Sequence, residues 1–150
     1  MMRTICISIL LAFMTSCLLF DDDYFTYDVV ARVASPSGHI EAVLAEFQRD
    51  RESDFDYEVF LVPTGGKLSD GVKVASLDSA NRNKNAYGVN LKWDGAQKLI
   101  IEYLNANNET SSKNPVTVAG EQVQVLLRSG VNDPTASSGK MCRTEKCRMF

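Results

Sequence analysis

The sequence predicts an all-β protein, a single antiparallel sheet meander or small β-sandwich of about seven or eight strands, preceded by an N-terminal signal peptide helix. Three observations predict it. Short apolar segments recur between clusters of Gly, Pro, Asn, Asp and Ser at the spacing of antiparallel sheets. Several of these segments alternate polar and apolar residues with period two, as a half-buried strand requires. The first seventeen residues differ in kind: Arg3, an apolar run over residues 5–14, then Thr15-Ser16-Cys17.

The strands are taken in order. Residues 27–34 are rich in β-branched side chains, and Ser35-Pro36-Ser37-Gly38 turns the chain. Residues 40–49 are ambiguous. Ile40, Val43, Leu44 and Phe47 fall at i, i+3, i+4 and i+7, the spacing of an amphipathic helix. A turn on either side makes the same stretch the return strand of a hairpin, and strand is the reading adopted. Residues 55–62 put Phe55, Tyr57, Val59 and Leu61 on one side and Asp56 and Glu58 on the other, a half-buried strand. Gly65-Gly66 and Asp70-Gly71 punctuate the next connection, followed by a strand over residues 72–77. Residues 87–93 align Val89, Leu91 and Trp93; Asp94-Gly95 is a hairpin signal, and residues 98–104 return from it. Residues 116–119 pair through Gly120-Glu121 with residues 122–128, where Val123, Val125 and Leu127 face one way. Tyr57, Tyr87, Trp93 and Tyr103, at alternate strand positions, are expected to fill the interior.

The leader has the charged start, short hydrophobic stretch and small residues of a secretory signal peptide. Met14-Thr15-Ser16-Cys17 resembles the lipobox of bacterial lipoproteins, with methionine where leucine is usual. The resemblance implies diacylglyceryl attachment to Cys17 and cleavage before it. A transmembrane span is the poorer reading, because the apolar stretch ends at Asp21-Asp22-Asp23 and contains Thr15 and Ser16, whereas a span needs about 20 mostly apolar residues. Two or three acyl chains, at about 0.8 kcal/mol per buried methylene, give stable retention on a membrane. The expected organisation is a signal peptide over 1–16, a lipid-anchored tether over 17–26, an antiparallel β domain over 27–128 and a disordered basic tail over 129–150. The expected address is extracytoplasmic, on the bacterial cell envelope.

Charge excludes some partners. Removing residues 1–16 costs only Arg3 and leaves 15 basic against 19 acidic side chains, a balance of −4. Nucleic-acid binding needs a basic stripe, and the folded part offers none. Residues 17–60 hold 11 acids and 3 bases, and residues 61–150 hold 8 acids and 12 bases. The acidic half suggests a basic protein partner, the bland alternative being solvated strand faces. Cys6 leaves with the leader; lipidation of Cys17 then leaves Cys142 and Cys147 as a candidate disulfide. Cys142-x4-Cys147 without a second Cys or His pair does not make a zinc site.

Chemistry-bearing motifs are sparse. His39, the one histidine, sits in a turn, and a lone imidazole there is usually polar surface. The loop over residues 78–85 alternates oxygen ligands, yet counting from Asn81 the sixth position is Ala86 and the twelfth Lys92, so it fails the EF-hand pattern. A hydrogen-bonded Asn-rich turn is expected, with Asn81, Arg82, Asn83 and Asn85 as candidate ligand contacts. Asp54, Asp56 and Glu58 are the candidate carboxylates for a hydrolase, though acids on the polar side of a strand need no catalytic reason. No metal site and no cofactor is expected.

Ser35-Pro36-Ser37-Gly38, Trp93-Asp94-Gly95 and Leu99-Ile100-Ile101 resemble the outer hairpins of TolB-type β-propeller blades. Blades of about 40 residues, at least four to a propeller, need more residues than the chain holds from Cys17 onward, so the likeness is one of hairpin grammar. In layout the chain resembles small bacterial lipoproteins of uncharacterised function. The leading expectation is a lipid-anchored binding or envelope-support protein without catalysis. The alternatives are an inhibitor of a basic exported enzyme such as lysozyme and a carboxylate-dependent hydrolase.

Overall fold

The computed structural model describes residues 27–47 and 56–139. The leader, the tether, Cys17 and the pair Cys142 and Cys147 lie outside the described residues, as does Asp54. No described helix is long and apolar enough to cross a membrane.

The fold is all-β. The strands are β1 (Asp28–Ala34), β2 (Ile40–Phe47), β3 (Asp56–Pro63), β4 (Val72–Asp78), β5 (Asn81–Asn83), β6 (Ala86–Tyr87), β7 (Asn90–Trp93), β8 (Lys98–Glu102), β9 (Asn108–Ser111), β10 (Val116–Val118) and β11 (Glu121–Arg128). They form a five-stranded sheet in the order β1-β2-β3-β4-β9, a four-stranded sheet in the order β10-β11-β8-β7, and the small hairpin β5-β6. The five-stranded sheet is antiparallel throughout. The four-stranded sheet is mixed, because β8 and β11 run parallel in the register Lys98↔Gln124 to Glu102↔Arg128.

The sandwich core follows from the pleat. Ile40, Ala42 and Leu44 of β2 and Tyr57, Val59 and Leu61 of β3 pack with Leu99 and Ile101 of β8 and Val123 and Val125 of β11 in one buried cluster. Each fully buried Leu, Ile or Val contributes about 1.5–3 kcal/mol. The segment 40–49, read as strand against its helical spacing, is strand over Ile40–Phe47. It is the second strand of five and is buried along nearly its whole length, so apolar residues occupy both parities and imitate a helical period.

The strand expected as half-buried over 55–62 is buried on both faces. Tyr57, Val59 and Leu61 point inward, while Asp56, Glu58 and Val62 on the opposite face are also buried. Tyr27 supplies part of the reason, lying 5.5 Å from the Phe47 ring and edge-on to Phe60 at 6.1 Å. Glu58 survives there because Tyr27 donates to its Oε2 at 3.0 Å and Lys73 to its Oε1 at 2.8 Å.

Of the tail expected to be disordered from Ser129, the described residues 129–139 are held against the sheets. Gly130 and Val131 donate backbone hydrogen bonds to Leu104 and Tyr103, Asp133 N–H donates to Arg82 O, and Val89 N–H donates to Ser137 O. Ala136 is buried. Gly88, at φ +152, admits this strap: a Cβ there would stand 2.8 Å from Ser137 O and from Arg82 Cδ. The polar composition of residues 129–139 misled because backbone groups make many of the contacts, joined by the Asp133 carboxylate, which accepts from Asn90 Nδ2 at 3.0 Å.

Candidate functional site

Three turns meet at one end of the sandwich. The first is the β1–β2 connection, where Ser35 N–H donates to Ile40 O, Gly38 N–H donates to Ser35 O, and Gly38 sits at φ +75. The second joins β7 to β8 through Asp94 and Gly95, closed by Asp94 N–H on Lys98 O at 2.8 Å. The third is the two-residue loop Ala119-Gly120 between β10 and β11, with both residues at positive φ. Together they border an open groove of about 690 Å³, lined among others by Ser37, Asp94, Gln97, Glu121, Gln122 and Gln124. A second recess of about 350 Å³ adjoins it, sharing Lys98, Pro115 and Gln124 and adding Asn114, Val125 and Leu126.

The pleat of β11 dictates which side chains reach the groove. Val123 and Val125 go inward, so Gln122 and Gln124 go outward, and Gln124 stands opposite Lys98 on β8. Gln124 N–H bonds Gln97 O at 2.8 Å, which fixes the Gln97 loop against the strand. Asn114 stands in for a strand partner: its side-chain Nδ2 donates to Val125 O at 2.7 Å and its Oδ1 accepts from Val125 N–H at 2.8 Å.

Glu121 is the pivot of the polar cluster. Its Oε1 is 2.7 Å from His39 Nδ1, and its Oε2 accepts from Ser37 Oγ at 3.1 Å. Ser37 Oγ is 3.0 Å from Ser35 Oγ. The carboxylate therefore stands between hydroxyl and imidazole, whereas an activated serine needs the imidazole as its own acceptor. Asp94 pairs with Lys98, and that hydrogen bond and charge, aided by Arg128, hold its carboxyl below the usual range. Farther along the same sheet face Glu102 is buried between Arg128 at 2.9 Å and Lys92 at 2.7 Å, the latter a charge contact without hydrogen-bond alignment.

Asn81, Arg82, Asn83 and Asn85 lie beyond the other end of β8, around the β5–β6 hairpin. Asn81 donates to Asn105 Oδ1 at 2.7 Å and to Ser79 O at 3.1 Å. Asn83 Oδ1 accepts from Asn85 N–H at 2.9 Å, the local capping expected of an Asn-rich turn. Arg82 reaches across to Ala136 O at 2.8 Å. Their hydrogen bonds serve the hairpin, its neighbour Asn105 and the strap, Arg82 Nε is buried without a hydrogen-bond partner among the described residues, and none of the four lines the groove. Asp133 caps the strap, its carboxyl held low by Thr135's hydroxyl and backbone N–H.

The described candidates for the hydrolase carboxylates, Asp56 and Glu58, are not in the groove either. Glu58 is engaged with Tyr27 and Lys73, and Asp56 accepts from Ser79 N–H at 3.2 Å. Of the acids that suggest a basic partner, Glu46, Asp56 and Glu58 are buried and Glu41 pairs with Arg32 at 2.8 Å. Glu46, inside the sandwich, accepts from Tyr57 Oη at 2.8 Å. Among the described residues no group of three or more His, Cys, Asp or Glu is placed to hold a metal ion.

Sequence reading missed the Glu121 cluster because Glu121 and His39 are 82 residues apart. Each turn was visible locally; their convergence at one end was the missing information. Comparison of the chain with protein-family models, with curated proteins and with solved structures finds no match.

Proposed function

We propose that this chain is a binding module of the bacterial cell envelope, held outside the cytoplasm by lipid on Cys17 and working without catalysis. Its groove at the three-turn end is the binding face. The observation that carries the binding part is the groove's lining: none of the Gln97, Gln122 and Gln124 side chains makes a hydrogen bond within the described residues, so three bifunctional amides are open to a ligand. The placement of Glu121 between Ser37 and His39 supports binding over nucleophilic chemistry. The lipobox-like leader supports the anchor.

A photo-crosslinking side chain placed at Gln124 of the cell-borne protein is expected to give adducts that the same group placed at Lys84, on the distant hairpin, does not. Equal yields at the two positions overturn the groove. Palmitate labelling is expected to vanish in Cys17→Ala, with release of the chain from membranes; retained labelling overturns the anchor.

A further inference from the structure

Resting on that groove reading, we infer that the ligand is a neutral oligosaccharide. The lining chemistry narrows the class. The groove's lysine is spent on Asp94, and Glu121 adds an acid facing His39, so no surplus cation is present for phosphate or nucleic acid. Apart from Ala96 and Pro115, the main groove is lined by glycine and by polar or charged side chains and presents no bulky apolar group, which disfavours an acyl chain. What remains on offer is three side chains that both donate and accept, Gln97, Gln122 and Gln124, beside acceptor oxygens of Ser37 and of a carboxylate already fixed by two partners. Sugar hydroxyls are donors and acceptors at once, and such a set matches them group for group.

The shape points to more than one sugar unit. Gln122 and Gln124 stand on the same side of β11 at i and i+2, about 6.6 Å apart along the strand. The second recess continues the path past Gln124 and Lys98 to Pro115 and Leu126, where apolar surface can take the C–H face of a ring. Glu121 is the positioning group at the start of this path: His39 and Ser37 hold its two oxygens, and it in turn fixes the Ser37 hydroxyl. No aromatic side chain lines either recess, so affinity comes from hydrogen bonds made in competition with water and is modest.

The test uses the full chain in detergent, with isotope-labelled side-chain amides followed by NMR. The probes are maltotetraose, cellotetraose and chitotetraose, with tetra-alanine in parallel. Movement of the Gln97, Gln122 and Gln124 amide signals by at least one tetrasaccharide is the expected result. The doubly substituted Gln122→Ala, Gln124→Ala chain is expected to bind at least about tenfold more weakly, since it loses both amides, while its remaining spectrum shows the fold intact. Asn85→Ala, on the distant hairpin, is expected to bind as the parent does. Signals moved by tetra-alanine and by no sugar overturn the oligosaccharide and keep the groove as a binding face. Sugar binding that moves only signals elsewhere, or no movement with any probe, overturns both.

Discussion

Strands β3 and β11 alternate alike in sequence and differ in fate. In β3, Asp56 and Glu58 interleave with Tyr57 and Val59; in β11, Gln122 and Gln124 interleave with Val123 and Val125. The apolar members of both enter the same core. The polar members of β3 are buried at 6% and 5% exposure, whereas those of β11 face an open groove. Neighbours make the difference. The outer face over β3 carries Tyr27, Phe47 and Phe60, and Lys73 to neutralise Glu58. The outer face over β11 carries Lys98, Leu126 and the turn of Gln97. The pattern of one strand thus gives the direction of each side chain, and the adjacent strands decide whether that direction leads to water.

This contrast orders the expected effects of substitution. Leu61→Ala, on the inward face of β3, is expected to lose about 2–5 kcal/mol in denaturant unfolding through lost burial and the cavity left behind. Glu58→Ala, on its outward face, is expected to lose about 0.5–1.5 kcal/mol, because Tyr27 Oη and Lys73 Nζ lose their acceptor while staying open to water. A cost below about 0.5 kcal/mol would put Glu58 with ordinary surface residues and erase the contrast. Asn114→Ala deprives Val125 of both backbone partners on the β10 side and is expected to cost about 1 kcal/mol, water replacing part of the loss; an unchanged unfolding midpoint would show that β11 needs no such support.

The Tyr27 phenol is held protonated above its usual value, first by burial and then by its hydrogen bond and proximity to the Glu58 charge. A raised value in the folded state means stability intact below about pH 10 and lost as pH climbs through the folded value. The tyrosinate absorbance of the parent minus that of Tyr27→Phe is expected to rise later than free tyrosine; an unshifted curve would detach Tyr27 from Glu58. The smallest effect belongs to β11: Gln122→Ala with Gln124→Ala is expected to leave stability within about 0.5 kcal/mol, measured in the same denaturant series.

Much of the sheet was legible in the sequence because hairpins announce themselves locally. Asp94-Gly95 marked the β7–β8 turn, and Gly120 marked the β10–β11 turn one residue away from its expected place. Strand β9 was not legible, since Asn-Glu-Thr-Ser at an edge is exposed throughout and carries no alternation. The helical spacing of Ile40, Val43, Leu44 and Phe47 arose from burial on two faces, which period alone cannot separate from a helix. The groove was illegible for another reason: Ser37 and Gln97 come from two separate turns and Glu121 from the strand end beside a third, and nothing within one turn says which others share its end of the sandwich.

The parallel pairing of β8 with β11 carries a consequence for how the chain is born. β7 can zip against β8 as soon as the Asp94-Gly95 turn has formed, but the other side of β8 must wait for a segment 26 residues downstream. Until that segment arrives, Leu99, Ile100 and Ile101 display an unpaired backbone edge capable of recruiting another chain. Docking of β11 is therefore the step that closes this edge of β8, and it is the longest-range pairing in the four-stranded sheet.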